Sequence, residues 1–169
     1  LRFNADRLGI DGNHIGILGE SSGGWAAAMA ATTGDVATLE GEIGTKNVSS
    51  AVQAAVSFYP PTDFQDMDGN AMQACDPAVA PFGNGFCHAT IGSPETLLLG
   101  CALVDCPDRV IAANPITHIS KEDPPILIIH GENDKLVPHQ QGLSFYQALN
   151  KACHDATFIS MPLAGHGVW

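Results

Sequence analysis

Apolar positions along this chain fall in short unbroken runs separated by turn residues. His14–Leu18 comes after the turn signal Asp11-Gly12-Asn13 and reads as a buried strand. Val52–Tyr59 ("VQAAVSFY") is a second run, stopped by Pro60 and Pro61, which cannot continue a ladder. Ile126–Ile129, inside "PPILIIHGEND", is the third, and Ala156–Met161 is the last. Alanine-rich Trp25–Ala31 predicts a helix, and His139–Lys151 predicts another with Leu143, Tyr146 and Leu149 on one face. Residues 62–107 hold many glycines, prolines and most of the cysteines without periodicity, which predicts a long excursion from the regular elements.

Strands that are apolar throughout and alternate with helices imply the α/β class, a mostly parallel sheet with helices on both faces. Ligand sites in such sheets lie beyond the carboxyl ends of the strands. The residues just after each apolar run are therefore the informative ones.

Composition narrows the field. The 169 residues suffice for one domain with a sizeable core, and 45% of them are hydrophobic. No stretch approaches a membrane-spanning length. The net charge of −11, with seven lysines and arginines together, offers no footprint for nucleic acid and favours neutral ligands over anionic ones. Five cysteines point to export. Cys101 and Cys106 are close in sequence, and Cys75 and Cys87 bracket a glycine- and proline-rich loop, which suits two local disulfides with Cys153 left over. The chain is expected to be secreted or periplasmic, the competing reading being five reduced thiols in a reducing compartment.

The first strand runs into Gly19-Glu20-Ser21-Ser22-Gly23, a G-x-S-x-G pattern at a strand-to-helix turn. Such an elbow strains its central residue and needs nearly bare positions two before and two after it. Centring on Ser21 puts glycines at both; centring on Ser22 would put Glu20 at one. Ser21 is thus the candidate nucleophile, and Ser22 offers its backbone N–H to an oxyanion. Glycines and serines also make ordinary turns, so the motif gains its weight from two partners later in the chain. The third run ends in His130-Gly131-Glu132-Asn133-Asp134, and the last leads into Gly165-His166-Gly167. A serine hydroxyl needs a histidine to take its proton, and the histidine needs a carboxylate to fix its tautomer. Serine, acid and histidine in this order is the arrangement of an α/β-hydrolase.

Asp134 is the preferred acid and Glu132 its rival. His130, Glu132, Asp134 and His139 are conceivable metal ligands, but their spacing crosses a glycine and an asparagine in a loop, so no metal is expected. Structural or surface roles suit His14, His88, His118 and His154. Trp25, Tyr59 and Phe64 fit either a pocket or the core.

Together "GESSGG", "VQAAVSFYPPTDF", "NPITHIS", "DPPILIIHGENDKLVPHQQ" and "AGHG" resemble α/β-hydrolase-fold esterases of the bifunctional feruloyl and acetyl-xylan esterase (BD-FAE) type. More distantly they resemble hormone-sensitive-lipase-like and prolyl-oligopeptidase-like hydrolases. Residues 66–97 share little of this likeness. The resemblance implies a serine carboxylic-ester hydrolase that needs no cofactor, with Ser21, Asp134 and His166 as the triad. It also implies an ester substrate, small or polysaccharide-linked, carrying an acetyl or feruloyl group. A peptidase, a short-chain lipase or a non-catalytic hydrolase-like binding module are the alternatives; an oligomeric state is not implied. Members of this family carry an earlier H-G-G-type loop and further strands that do not occur here. Residues 1–169 are therefore expected to be a partial α/β-hydrolase domain, with 62–107 as a cap- or lid-like excursion within it.

Overall fold

Four parallel strands carry the apolar runs: β1 (Gly16–Glu20), β2 (Ala54–Phe58), β3 (Ile126–Gly131) and β4 (Ala156–Met161). They lie in the order β1-β2-β3-β4, with Leu18 beside Val56, Val56 beside Leu127 and Leu127 beside Thr157. The computed structural model describes residues 1–42, 47–72, 74–81, 83 and 85–167. Parallel neighbours require crossovers, and α2 (Ser22–Thr32) and α5 (His139–Lys151) lie within two of them. A short α1 (Ala5–Leu8) precedes β1, and α3 (Pro94–Leu99) and α4 (Pro107–Ala113) lie within the crossover from β2 to β3.

The core forms where α2 and α5 meet one face of the sheet. Ala28 and Ala31 of α2 and Phe145 and Leu149 of α5 bury against Ala55, Ile126 and Ile128. Small alanines let α2 approach the strands closely, and Phe145 of α5 is fully buried in the same cluster; truncating it to alanine would cost about 3–5 kcal/mol. The predicted face of α5 is displaced from the observed one. Phe145 and Leu149, with Gln141 and Gly142, are the buried positions. A Cβ on Gly142 would come within 2.7 Å of the His130 ring, so the helix sits directly on β3. The opposite face carries Leu18 at 71% exposure and Ile159 at 40%. Among the described residues the helices packed on the sheet lie on one face, although the strands are apolar on both.

The crossover from β2 to β3 is longer and more structured than its lack of periodicity suggested. Pro94 and Pro107 start α3 and α4 at a position where a missing N–H costs nothing, and Ser93 caps α3 by accepting from the Thr96 N–H. Phe64, Leu99, Leu103 and Val110 form a second apolar cluster against Trp25. The cysteines pair as expected, Cys75 with Cys87 and Cys101 with Cys106, leaving Cys153 free and exposed. Two buried amides fasten the start of the crossover. Gln141 accepts from the Thr62 and Asp63 N–H groups at 2.8 and 2.7 Å, and Asn114 accepts from Phe64 N–H at 3.0 Å. Buried amides must be paired, so these two residues fix where the chain leaves β2.

Candidate active site

The turn from β1 into α2 holds Ser21 at φ 55° and ψ −120°, a region that residues with a Cβ rarely occupy. Close backbone approaches maintain it. A Cβ on Gly19 would lie 2.1 Å from the Gly23 carbonyl oxygen, and one on Gly24 would lie 2.5 Å from that of Phe58. The sequence pattern points to Gly23 as the second bare position, yet a Cβ there would meet nothing within 4 Å. The crowding sits one residue later because α2 presses back on the end of β2.

Beyond the carboxyl ends of three strands, Ser21, Asp134 and His166 come together. Ser21 Oγ lies 2.9 Å from His166 Nε2, and His166 Nδ1 lies 2.8 Å from Asp134 Oδ2. Facing a carboxylate, Nδ1 carries hydrogen, which leaves Nε2 of the neutral ring to accept from the Ser21 hydroxyl. Asp134 is 1% exposed, and its Oδ1 accepts from the Leu136 and Val137 N–H groups, both at 2.9 Å. His130 Nε2 is shared between the Val137 carbonyl at 3.0 Å and Asp134 Oδ2 at 3.4 Å. Burial pushes the Asp134 carboxyl up, but the bonds from His130 and His166, the charge of His166 when its ring is protonated, and the Leu136 N–H outweigh it and hold the group at about 2.

The rival acid lies elsewhere. Glu132 is exposed and accepts from the Ser160 hydroxyl at 2.7 Å, and His139 Nε2 lies 2.9 Å from that same hydroxyl. The four residues conceivable as metal ligands thus divide between two separate hydrogen-bond groups. Among the described residues, Asp68, Cys75 and Cys87 are close enough to share an ion. The two sulfurs are bonded to each other, however, and Asp68 accepts from the His88 and Ala89 N–H groups.

Ser22 begins α2, so its N–H has no partner within the helix, and the residue lines both cavities beside Ser21. One cavity of about 180 Å³ is lined by Ser21, His166, Phe86, His88, Glu95 and Leu136. A second, of about 420 Å³, adjoins Ser22 and is lined by Trp25, Pro61, Phe64, Pro94, Glu95 and Leu98. Trp25 and Phe64 therefore belong to both a pocket wall and the second apolar cluster.

Three further residues belong to this neighbourhood: Tyr59, which the sequence left between pocket and core, and His88 and Glu95, to which no sequence signal gave a role at the site. Tyr59 comes directly after β2 at φ 38° and packs edge-on against the His166 ring, while its hydroxyl donates to Glu20 at 2.8 Å. Burial, with Glu20 as acceptor, raises the Tyr59 phenol to about 12. His88, read as structural or surface from the sequence, is 5% exposed and pairs with Glu95 at 2.8 Å. Its other nitrogen donates to the Leu136 carbonyl, also at 2.8 Å.

A parallel sheet with a strained serine after one strand, an acid after a second and a histidine after a third defines the α/β-hydrolase fold. The chain belongs to the BD-FAE family, whose model matches residues 1–149. It is similar in structure to a truncated carbohydrate esterase from gut microbiota, with a TM-score of 0.82 and 35% identity over 99% of this chain and 57% of that one. A bifunctional GH43-CE protein of Bacteroides eggerthii gives the same TM-score of 0.82 and 35% identity over 98% of this chain and 23% of its own. Esterase LipC of Mycobacterium tuberculosis is 28% identical over 98% of this chain and 38% of its own length. The chain thus spans only part of each relative's length, from about a quarter to somewhat over half.

Proposed function

We propose that this chain carries the nucleophile, base and acid of a serine carboxylic-ester hydrolase acting on acetyl or feruloyl esters of plant polysaccharide. Ser21 Oγ attacks the ester carbonyl while His166 Nε2 takes its proton. Asp134 holds the ring in the required tautomer and stabilises the imidazolium that forms. The Ser22 N–H donates to the oxyanion, and His166 returns the proton to the departing alcohol. Water, activated by the same histidine, then releases the acyl group from Ser21. A second oxyanion donor is expected from the H-G-G-type loop implied by the family. The observation that carries this reading is the unbroken hydrogen-bonded chain Ser21–His166–Asp134, at 2.9 and 2.8 Å.

Substrate choice is assigned to the walls of the two cavities, to which the excursion over 62–107 contributes Phe64, Phe86, His88, Pro94, Glu95 and Leu98. The apolar cavity lined by Trp25, Phe64 and Leu98 supplies contact area for an aromatic acyl group. The carbohydrate esterase and GH43-CE relatives support a polysaccharide-linked ester, and the paired cysteines support a secreted or periplasmic site of action.

A fluorophosphonate probe tests the nucleophile. Labelling is expected at Ser21, and Ser21→Ala is expected to lower kcat by roughly 10⁴–10⁶, with Ser22→Ala far milder because only its backbone is used. Labelling that moves unchanged to Ser22, or persists after Ser21→Ala, overturns the assignment.

A further inference from the structure

Glu95 is 6% exposed and lines both cavities beside Ser21. One carboxyl oxygen, Oε1, meets His88 Nδ1 at 2.8 Å; the other, Oε2, is buried without a hydrogen-bond partner among the described residues. A buried carboxyl oxygen left unpaired is costly and calls for an explanation. Proton accounting fixes what it can do. His88 Nε2 faces the Leu136 carbonyl, an acceptor only, so that nitrogen carries hydrogen. The Nδ1–Oε1 contact then holds one proton, on the ring or on Oε1. In both cases Oε2 remains an acceptor.

The dyad is firmly held. Asp68 Oδ1 accepts from the His88 N–H at 2.7 Å, Ser93 Oγ donates to the His88 carbonyl at 2.6 Å, and the Cys75–Cys87 disulfide adjoins His88 in the chain. Held in this way, the unpaired Oε2 is fixed in position on a residue that lines both cavities.

Resting on the esterase reading above, we propose that Glu95 is a specificity-determining residue whose Oε2 accepts a hydrogen bond from a hydroxyl of the ester substrate. The hydroxyl belongs either to the sugar being deacylated or to a phenolic acyl group. A site built around an unpaired acceptor discriminates against the analogue that lacks the donor, because the acceptor then stays buried and unsatisfied.

Two matched pairs of esters distinguish the sources: methyl 4-hydroxycinnamate against methyl cinnamate, and an acetylated methyl xyloside against its deoxy counterpart. The full chain is expected to favour the hydroxylated member of one pair. Glu95→Leu is expected to lower that kcat/KM ratio by roughly 10- to 100-fold. Glu95→Gln, which keeps the volume and offers only a neutral acceptor, is expected to lower it by a smaller factor of roughly 3–10 and covers the case in which the leucine variant does not fold. Absence of a preference in both pairs, or ratios that either variant leaves at the wild-type value, overturns the proposal. If no ester is cleaved, the esterase reading fails separately. Calorimetric binding of 4-hydroxycinnamate against cinnamate, and of methyl xyloside against its deoxy form, then decides for or against Glu95 by the same ratios.

Discussion

Tyr59 packs edge-on against His166, their ring centroids 4.5 Å apart, and its hydroxyl is anchored on Glu20 at 2.8 Å. The ring therefore restrains the imidazole alongside its two hydrogen bonds, and Glu20, at the end of β1, restrains the ring. Tyr59→Phe keeps the restraining ring and loses only the anchor; its kcat is expected to stay within about fivefold of wild type. Tyr59→Ala removes the ring and is expected to lower kcat by roughly 10²-fold, the scale of a misplaced base. Steady-state kinetics on one ester settles the order of the two variants. Equal losses would show that the hydroxyl, and not the ring, places His166.

Asp134 and Glu132 differ in what they touch. Asp134→Asn leaves His166 Nδ1 beside a neutral amide and is expected to cost roughly 10⁴ in kcat. Glu132→Gln disturbs a surface contact with Ser160 and is expected to change kcat by less than about threefold. The opposite ranking would transfer the role of acid to Glu132.

Acid stability depends on Asp134 as well. Its folded carboxyl titrates at about 2 against an ordinary 3.8. Between these values the unfolded chain binds the proton more readily, so the stabilisation is fully present above the unfolded value and is lost as pH falls through the folded one. It amounts to about 2 kcal/mol. Denaturant titrations between about pH 5 and about pH 2 are expected to show this loss, and Asp134→Asn is expected to remove that part of the slope. An unchanged slope in the variant would assign the acid sensitivity to other carboxyls.

The glycines of the elbow are not equivalent. Gly19→Ala and Gly24→Ala each drive a methyl group into backbone atoms, at 2.1 and 2.5 Å respectively, and are expected to destabilise by more than about 3 kcal/mol or to prevent folding. Gly23→Ala enters open space within α2 and is expected to be neutral or to stabilise by up to about 1 kcal/mol. Thermal melting of the three variants checks the order; a Gly23→Ala as damaging as Gly19→Ala would contradict the observed packing.

Much of this molecule was legible from the chain alone. Unbroken apolar runs located the four described strands within a few residues, because these strands are apolar on both faces and no alternation disguises them. Ser21, Asp134 and His166 stood out because each comes after such a run, and connectivity alone brings the carboxyl ends of parallel strands to one edge. The local cysteine pairs were legible for a similar reason: short loops close on themselves. Contacts between distant segments were not legible. Gly24 rather than Gly23 must be bare because α2 crosses the end of β2. Phe145 rather than Leu143 is buried because α5 seats Gly142 on His130. Tyr59 meets His166, and His88 meets Glu95 and Leu136, only after separate crossovers have been laid side by side. Periodicity reports which residues along one element are apolar. Which atoms face each other is decided by how elements cross, and that is a property of the packed sheet and helices rather than of any one segment.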